Sequence, residues 1–276
     1  MTEQPDETET MTARAVLAGE LRRLRAQSGK SLAQLSDDTT YDRTYLHRLE
    51  TGERISQRPV MEALEGVYET GGLLLRLWQL AQQEEEFAAF LDRYRAFMEH
   101  ESRARIMYKF SAVIPGLLQT EDFASVVLGA SGLTGTELDE QVAARISRQQ
   151  LLYRTPAPTL RVLLEEEALR RPTQDPRVWR DQLANLLKAA EAPNIVLQVL
   201  PFSAGVHDLM GGSVSILWGP DGTAVVWLEG NKSGELVDEP GEVESLRISY
   251  DRVRDAALSP NQTTAFIESV MEDSQP

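Results

Sequence analysis

The sequence predicts three parts in order: an all-α N-terminal domain over residues 12–70, a helical connector over 73–107, and a C-terminal α+β domain with a small mixed sheet over 108–276. Three observations predict this. Short amphipathic segments, with polar caps and glycine stops, crowd the first seventy residues. An apolar stripe at helical spacing then runs from Leu73 to about Met107. Beyond it, short runs rich in Val, Ile and Leu alternate with turns and helical patterns, as strands do beside helices. A length of 276 residues suits about two domains, and 42% hydrophobic content excludes a wholly disordered chain.

Leu17, Leu21 and Leu24 recur at helical spacing with arginines between them, so they face inward on a first helix that Ser28-Gly29 ends. Ser31 caps a second helix whose apolar side is Leu32 and Leu35. After the turn Thr39-Thr40-Tyr41, Asp42 is a good N-cap for a third helix, Arg43–Thr51, buried through Leu46 and Leu49 and stopped by Gly52. A fourth helix runs from about Pro59 through Leu64 to Tyr68; proline suits a first turn because its missing N–H would be unpaired there. Two short helices joined by a tight turn, the second polar-capped and basic, describe a helix-turn-helix. Its third helix is apolar on one side and polar on the other, which fits a major groove. The first exposed positions then face base edges, while arginines and backbone N–H groups hold phosphate.

The net charge of −15 by itself argues against nucleic acid. The charge is uneven, however. Met1–Thr10 carries four acids and no base, whereas residues 11–60 carry nine bases and six acids. A surplus of three is weak evidence, since solvated helix faces often reach it, so the placement of the bases decides.

Leu21-Arg-Arg-Leu-Arg25, Ser28-Gly29, Leu35 and Tyr41-Asp-Arg-Thr-Tyr-Leu-His-Arg-Leu-Glu-Thr-Gly52 resemble the lambda-repressor-like (XRE) DNA-binding domain. The Leu-Glu-Thr-Gly ending of the third helix carries the resemblance best. It implies that Arg43 and Thr44 face bases and that Arg48 does so one turn later, with His47 beside it. It also implies that Arg54 and Arg58 belong to a phosphate-contacting loop, that Tyr45 lies along the DNA backbone, and that Arg25 and Glu50 form an internal ion pair. Arg14, Arg22 and Arg23 read as solvated residues of the first helix. The family's usual glycine in the turn is Thr40 here. A β-branched residue at positive φ is costly, so a longer or reshaped turn is expected. Leu32 stands where relatives often hold phosphate with Gln. Such domains usually pair, which implies a homodimer on a double-stranded operator.

Gly71-Gly72 breaks the chain before the connector, where Leu74, Leu77, Trp78, Phe87, Phe90, Leu91, Tyr94, Phe97 and Met98 recur near helical spacing with Glu84–Glu86 outward. That stripe reads as core packing, with a dimer seam as the alternative. In the C-terminal part, a Pro-Gly turn leads to a helix capped by Thr120, and Thr136–Tyr153 is amphipathic helix. Strands are expected at Thr159–Leu164, Asn194–Leu200, Ser213–Trp218, Ala224–Leu228 and Glu235–Val237. Helices are expected at Pro176–Ala190, Glu242–Ala257 and Thr263–Glu272.

Pro115-Gly-Leu-Leu-Gln-Thr-Glu-Asp-Phe123, Val142-Ala-Ala-Arg-Ile-Ser-Arg-Gln149, Val199-Leu-Pro-Phe-Ser-Ala-Gly205 and Ala256-Ala-Leu-Ser-Pro260 resemble the C-terminal domain of an actinobacterial regulator family. That family couples a lambda-repressor-like head to an Scr-type, antitoxin-like domain of unknown function and includes WhiJ-like regulators. The resemblance implies a small partner protein encoded nearby. Pro115, Gly116, Leu117, Leu118, Gln119 and His207 are the candidate residues for a partner or ligand.

Other chemistries are poorly supplied. Without cysteine there is no disulfide, thiolate nucleophile or Cys-ligated metal, and the three histidines, His47, His100 and His207, are scattered. Glu165-Glu166-Glu167 are adjacent acids that point to different faces, and Ser203, His207 and Asp208 sit too close in sequence for a hydrolase triad. There is no Walker A loop and no GxGxxG after a strand, so neither catalysis nor a cofactor is expected. The apolar stretches are too short to span a bilayer, and the acidic N-terminus is unlike a secretory signal, which points to the cytoplasm. The expected function is a sequence-specific transcriptional regulator whose C-terminal domain dimerises and responds to a small partner. The alternatives are an antitoxin-like module that neutralises its partner, and a small-molecule sensor with a pocket between the Pro115–Thr120 loop and the sheet.

Overall fold

The computed structural model describes residues 12–230 and 233–273; the acidic Met1–Thr10 segment lies outside them. The chain divides into two units, one ending at Asp92 and one beginning at Arg93.

The first unit is helical throughout: α1 (Ala13–Ser28), α2 (Leu32–Thr39), α3 (Arg43–Thr51), α4 (Arg58–Tyr68) and the first part of α5 (Leu73–Arg103). Its core is the set the periodicity marks: Leu17 and Leu21 of α1, Leu35, Leu46, Leu49, Val60, Met61 and Leu64, joined by Leu74, Trp78 and Ala81 of α5. Burying such a side chain contributes about 1.5–3 kcal/mol, so the small helices are held by this shared face. Polar caps set the ends. Thr12 accepts from the Ala15 amide, Ser31 forms a reciprocal capping box with Gln34, and Gly29 and Gly52 close α1 and α3 in the left-handed conformation. Glu65 receives the Gly72 amide at 2.8 Å and the Leu74 amide at 3.3 Å, capping α5. Burial pushes this carboxyl up, but those bonds and one from Thr70 hold it below its usual range.

The second unit is α+β. The helix expected to reach Met107 stops at Arg103, and Ile106–Ser111 forms β1 instead. Met107 and Phe110 fit helical spacing equally well, so the local pattern could not separate the two. Neighbouring strands decide it. The Arg105 amide donates to the Trp218 carbonyl at 2.8 Å, and the Arg105 carbonyl accepts from the Thr159 amide at 2.9 Å.

After β1 come α6 (Glu121–Ala130) and α7 (Gly135–Ser147), the latter followed by a 3-10 segment, Arg148–Tyr153, where one helix to Tyr153 was expected. Then follow β2 (Thr159–Glu165), α8 (Glu167–Arg170), α9 (Pro176–Ala190), β3 (Ile195–Leu200), β4 (Ser213–Trp218), β5 (Ala224–Glu229), β6 (Gly234–Val237), α10 (Pro240–Asp255) and α11 (Pro260–Asp273). The six strands lie in the order β3-β2-β1-β4-β5-β6. β1, β2 and β3 are parallel, and β4, β5 and β6 run antiparallel to their neighbours. One face of the sheet, through Phe110, Leu163, Ile216 and Val226, packs on Val243, Tyr250 and Val253 of α10. The opposite residues of β1 and β4, Lys109 and Ser215, pair in register. Both residues line a cavity on that side of the sheet.

Candidate functional site

The α2–turn–α3 element keeps a tight turn despite the missing glycine, contrary to the longer or reshaped turn expected. Thr40 itself takes φ 61°, ψ 11°. The Ser36 hydroxyl donates to the Tyr41 carbonyl at 2.6 Å and the Thr39 hydroxyl to the Leu35 carbonyl at 2.7 Å, so neighbours hold the turn against the strain. A left-handed conformation costs a residue with a Cβ about 1–2 kcal/mol. Thr40 is exposed and offers little packing in return. Thr40→Gly is therefore expected to raise stability by about 1 kcal/mol, allowing for glycine's freer unfolded chain. A fall in the melting temperature would contradict this.

On α3, Asp42 accepts the amides of Thr44 at 2.8 Å and Tyr45 at 3.2 Å. The Tyr45 and then the Thr44 N–H hold its carboxyl below the usual range. Leu46 and Leu49 are buried, while Arg43, Thr44, His47 and Arg48 share the exposed side. The structure therefore brings those four predicted residues together on one helix face. Arg48 Nε lies 4.0 Å from Glu53, but both groups are more than half exposed, so the pair is weak and does not occupy the arginine. Tyr45 turns partly into the core. Its ring carries the Arg54 guanidinium at 5.2 Å, which places Arg54 beside α3. Arg58, the first residue of α4, donates to Glu62 at 2.8 Å on the surface. Leu32 packs against the core.

Two supports fix this face. Glu50, 4% exposed, receives Arg25 Nε at 2.7 Å and its second nitrogen at 2.9 Å, so the ion pair clamps α1 to α3. The second support escaped the sequence reading. Trp78 Nε1 donates to the Ser56 carbonyl at 2.8 Å, anchoring the loop that carries Arg54. An aromatic at helical spacing gives no sign of where its N–H points.

In the second unit, Pro115 opens a 3-10 turn, Gly116–Leu118. Leu117 and Leu118 are buried, whereas Pro115, Gly116 and Gln119 line a cavity of about 610 Å³. Side-chain amides fix this loop. Gln119 donates to the Ile114 carbonyl, Gln149 to those of Gly116 and Gln119, and Gln182 and Asn185 to that of Leu118, all at 2.7–2.9 Å. His207 is not among the cavity's lining residues; its Nε2 is 3.5 Å from Glu165 and its ring meets Phe110 edge-on.

The sequence reading missed Glu101, Lys109, Arg145 and Arg148. Glu101 is 1% exposed and accepts from Lys109 at 2.9 Å and Arg148 at 2.6 Å. Burial pushes its carboxyl up, but the two cations outweigh that and hold it at about 2. A lysine inside the apolar run of β1 was the available signal. Among the described residues, no group of three or more His, Asp or Glu could hold a metal ion, and no helix is long and apolar enough to cross a membrane.

A capped helix presenting a basic face, held behind a tight turn on a small helical core, defines a helix-turn-helix protein and supports a DNA-binding regulator. Residues 16–78 match the family model described as a helix-turn-helix domain. Residues 94–269 match the model described as a domain of unknown function (DUF5753), and the chain belongs to that family. No curated protein and no solved structure matches it.

Proposed function

We propose that this chain is a cytoplasmic, sequence-specific transcriptional regulator of the XRE type, non-catalytic, that binds operator DNA as a homodimer and answers to a small partner protein through an antitoxin-like C-terminal unit. The observation that carries the reading is the exposed face of α3, where Arg43, Thr44, His47 and Arg48 stand together on a helix anchored by Leu46 and Leu49. Arginine reads guanine edges bidentately in the major groove. Arg54, held over Tyr45 next to that helix, supplies phosphate contact. The acidity of the remainder repels DNA away from this tip and limits non-specific sticking. Pairing is supported by Leu80 and Phe87, exposed on α5 seven residues apart. A protein partner is supported by the exposed apolar side chains of Phe202, Val206 and Met210.

The test is titration of a promoter fragment at several salt concentrations. Arg43→Ala and Arg48→Ala are each expected to cost about 1–3 kcal/mol in specific binding and to relax base preference. Arg54→Ala is expected to weaken all sequences alike and to flatten the salt slope by about one. Unchanged operator affinity in all three variants would overturn the reading. Sedimentation of the full chain, alone and with the product of the neighbouring reading frame, checks the pairing and the partner.

A further inference from the structure

The cavity behind the Pro115–Gln119 loop has an unusual charge balance. Two segments far apart in sequence meet there: the 3-10 turn at Gly116–Leu118, and the end of α7 with the residues just after it. The second segment brings Arg145 and Arg148 to the wall, and β1 brings Lys109 to the floor. Glu101 answers Lys109 and Arg148 together, so one buried carboxylate serves two cations. Burial disfavours the charged form of Arg145 and the nearby Arg148 adds to that, while Tyr94 and Glu229 oppose it. Its hydrogen bond goes to the neutral amide oxygen of Gln119 at 3.0 Å. The Nε–H of Arg148 is buried and has no acceptor among the described residues.

The carboxylates that also line the cavity are engaged or peripheral. Glu165 faces His207, Glu167 bonds Arg171, and Glu229 is exposed at the rim, near enough to favour the charge on Arg145. The inner cluster of three cations and one buried carboxylate therefore carries an excess of two positive charges, which the exposed Glu229 offsets in part. The buried Nε–H of Arg148 lies out of a ligand's reach, so the donors left for an anion are those of Arg145 beyond its bond to Gln119, and a partly desolvated guanidinium is stabilised by such an anion. Beside the cations the walls turn apolar at Val113, Ile114 and Met210. A volume of about 610 Å³ falls within the range of small-molecule sites, roughly 300–1,000 Å³.

Gly116 is part of the device. A Cβ built there would stand 3.3 Å from Cγ and Cδ of Arg145, tighter than ordinary contact. The bare backbone at Gly116 is what lets the arginine stem lie along the loop. A Cβ at Gly116 requires that stem to give by a few tenths of an ångström.

We propose that this cavity binds a small organic oxyanion, a carboxylate or a phosphate ester with a short apolar body, with the anionic group against Arg145 and Arg148 and the body against Val113, Ile114 and Met210. This goes beyond the DNA-binding reading and does not depend on it.

The test is thermal unfolding of the full chain, titrated at fixed ionic strength with hexanoate, phenyl phosphate, neutral hexanamide and chloride. Binding to the folded state raises the melting temperature by mass action. A saturable rise is expected with hexanoate if the ligand is a carboxylate, with phenyl phosphate if it is a phosphate ester, and not with hexanamide or chloride. Arg145→Gln is expected to weaken the response about tenfold or more, the loss of a hydrogen bond to a charged group. Gly116→Ala is expected to weaken it less, with an unchanged circular dichroism spectrum. If Arg145→Gln fails to fold, Gly116→Ala decides. An equal response to hexanamide, no response to either anion, or titrations unaltered in the variants would overturn the proposal.

Discussion

Glu101→Gln is expected to destabilise the C-terminal unit by about 3–5 kcal/mol, because it leaves the buried Lys109 and the partly buried Arg148 against a neutral amide. Glu101 is 1% exposed, and Lys109, which depends on it, is 7% exposed. Lys109 also donates to Ser215 at 3.2 Å and lies 5.5 Å over the Phe97 ring, and neither replaces a charge. The same pair predicts a pH dependence. The Glu101 carboxyl is held at about 2 in the folded chain, against 4.5 unperturbed. A folded-state value below the unfolded one means the contribution is complete above the unfolded value. It is lost as pH falls from about 4.5 through about 2, and it amounts to about 3 kcal/mol. Urea unfolding across that window, followed by tryptophan fluorescence, should show the natural chain losing stability more steeply than Glu101→Gln. Parallel curves would sink the assignment. Lys109→Met added to Glu101→Gln should recover part of the loss, since the two act as a unit.

Glu50→Ala is the second large effect, at about 3 kcal/mol in the N-terminal unit. Glu50 receives Arg25 through two bonds, and its removal frees a guanidinium that also reaches the Lys30 carbonyl at 3.3 Å. Arg25 keeps 28% of its side-chain surface in water, so it rehydrates in part, which places the loss at the low end for a broken pair. The clamp joins α1 to α3, so the loss should appear in both helices. Amide exchange should quicken along α1 and α3 together while the sheet amides stay protected. Exchange confined to the last turn of α3 would reduce Glu50 to a local role. Arg25→Met combined with Glu50→Leu should restore much of the stability, because an apolar pair of similar volume leaves no charge to desolvate.

The helical head was largely legible. Its caps, stops and leucine spacing are local, and local physics decides them: Ser31, Asp42 and Gly52 act on atoms within one turn of themselves. Thr40 is the exception. Its propensity argued for another turn, and the neighbouring hydroxyls of Ser36 and Thr39 held it in place. The strand β1 was hidden because Ile106–Ser111 is short and its apolar residues fit two periods at once. Pairing with β2 and β4 on both sides chose the extended form. The Pro115–Gln119 loop stood out in the sequence as a candidate, but Leu117 and Leu118 face inward, and the charged residues around it lie on α5, β1, α7 and the 3-10 segment after α7.

By itself, then, the sequence determined where the short helices of the head begin and end, which of their faces are buried, and that one basic helix face is exposed behind a polar cap. Those follow from interactions that span a few residues. The tertiary structure decided that Glu101, Lys109, Arg145 and Arg148 surround one space, and that Trp78 steadies the loop of Arg54. Such meetings depend on strand order and helix packing, and chain spacing carries no record of which distant side chains will share a dielectric.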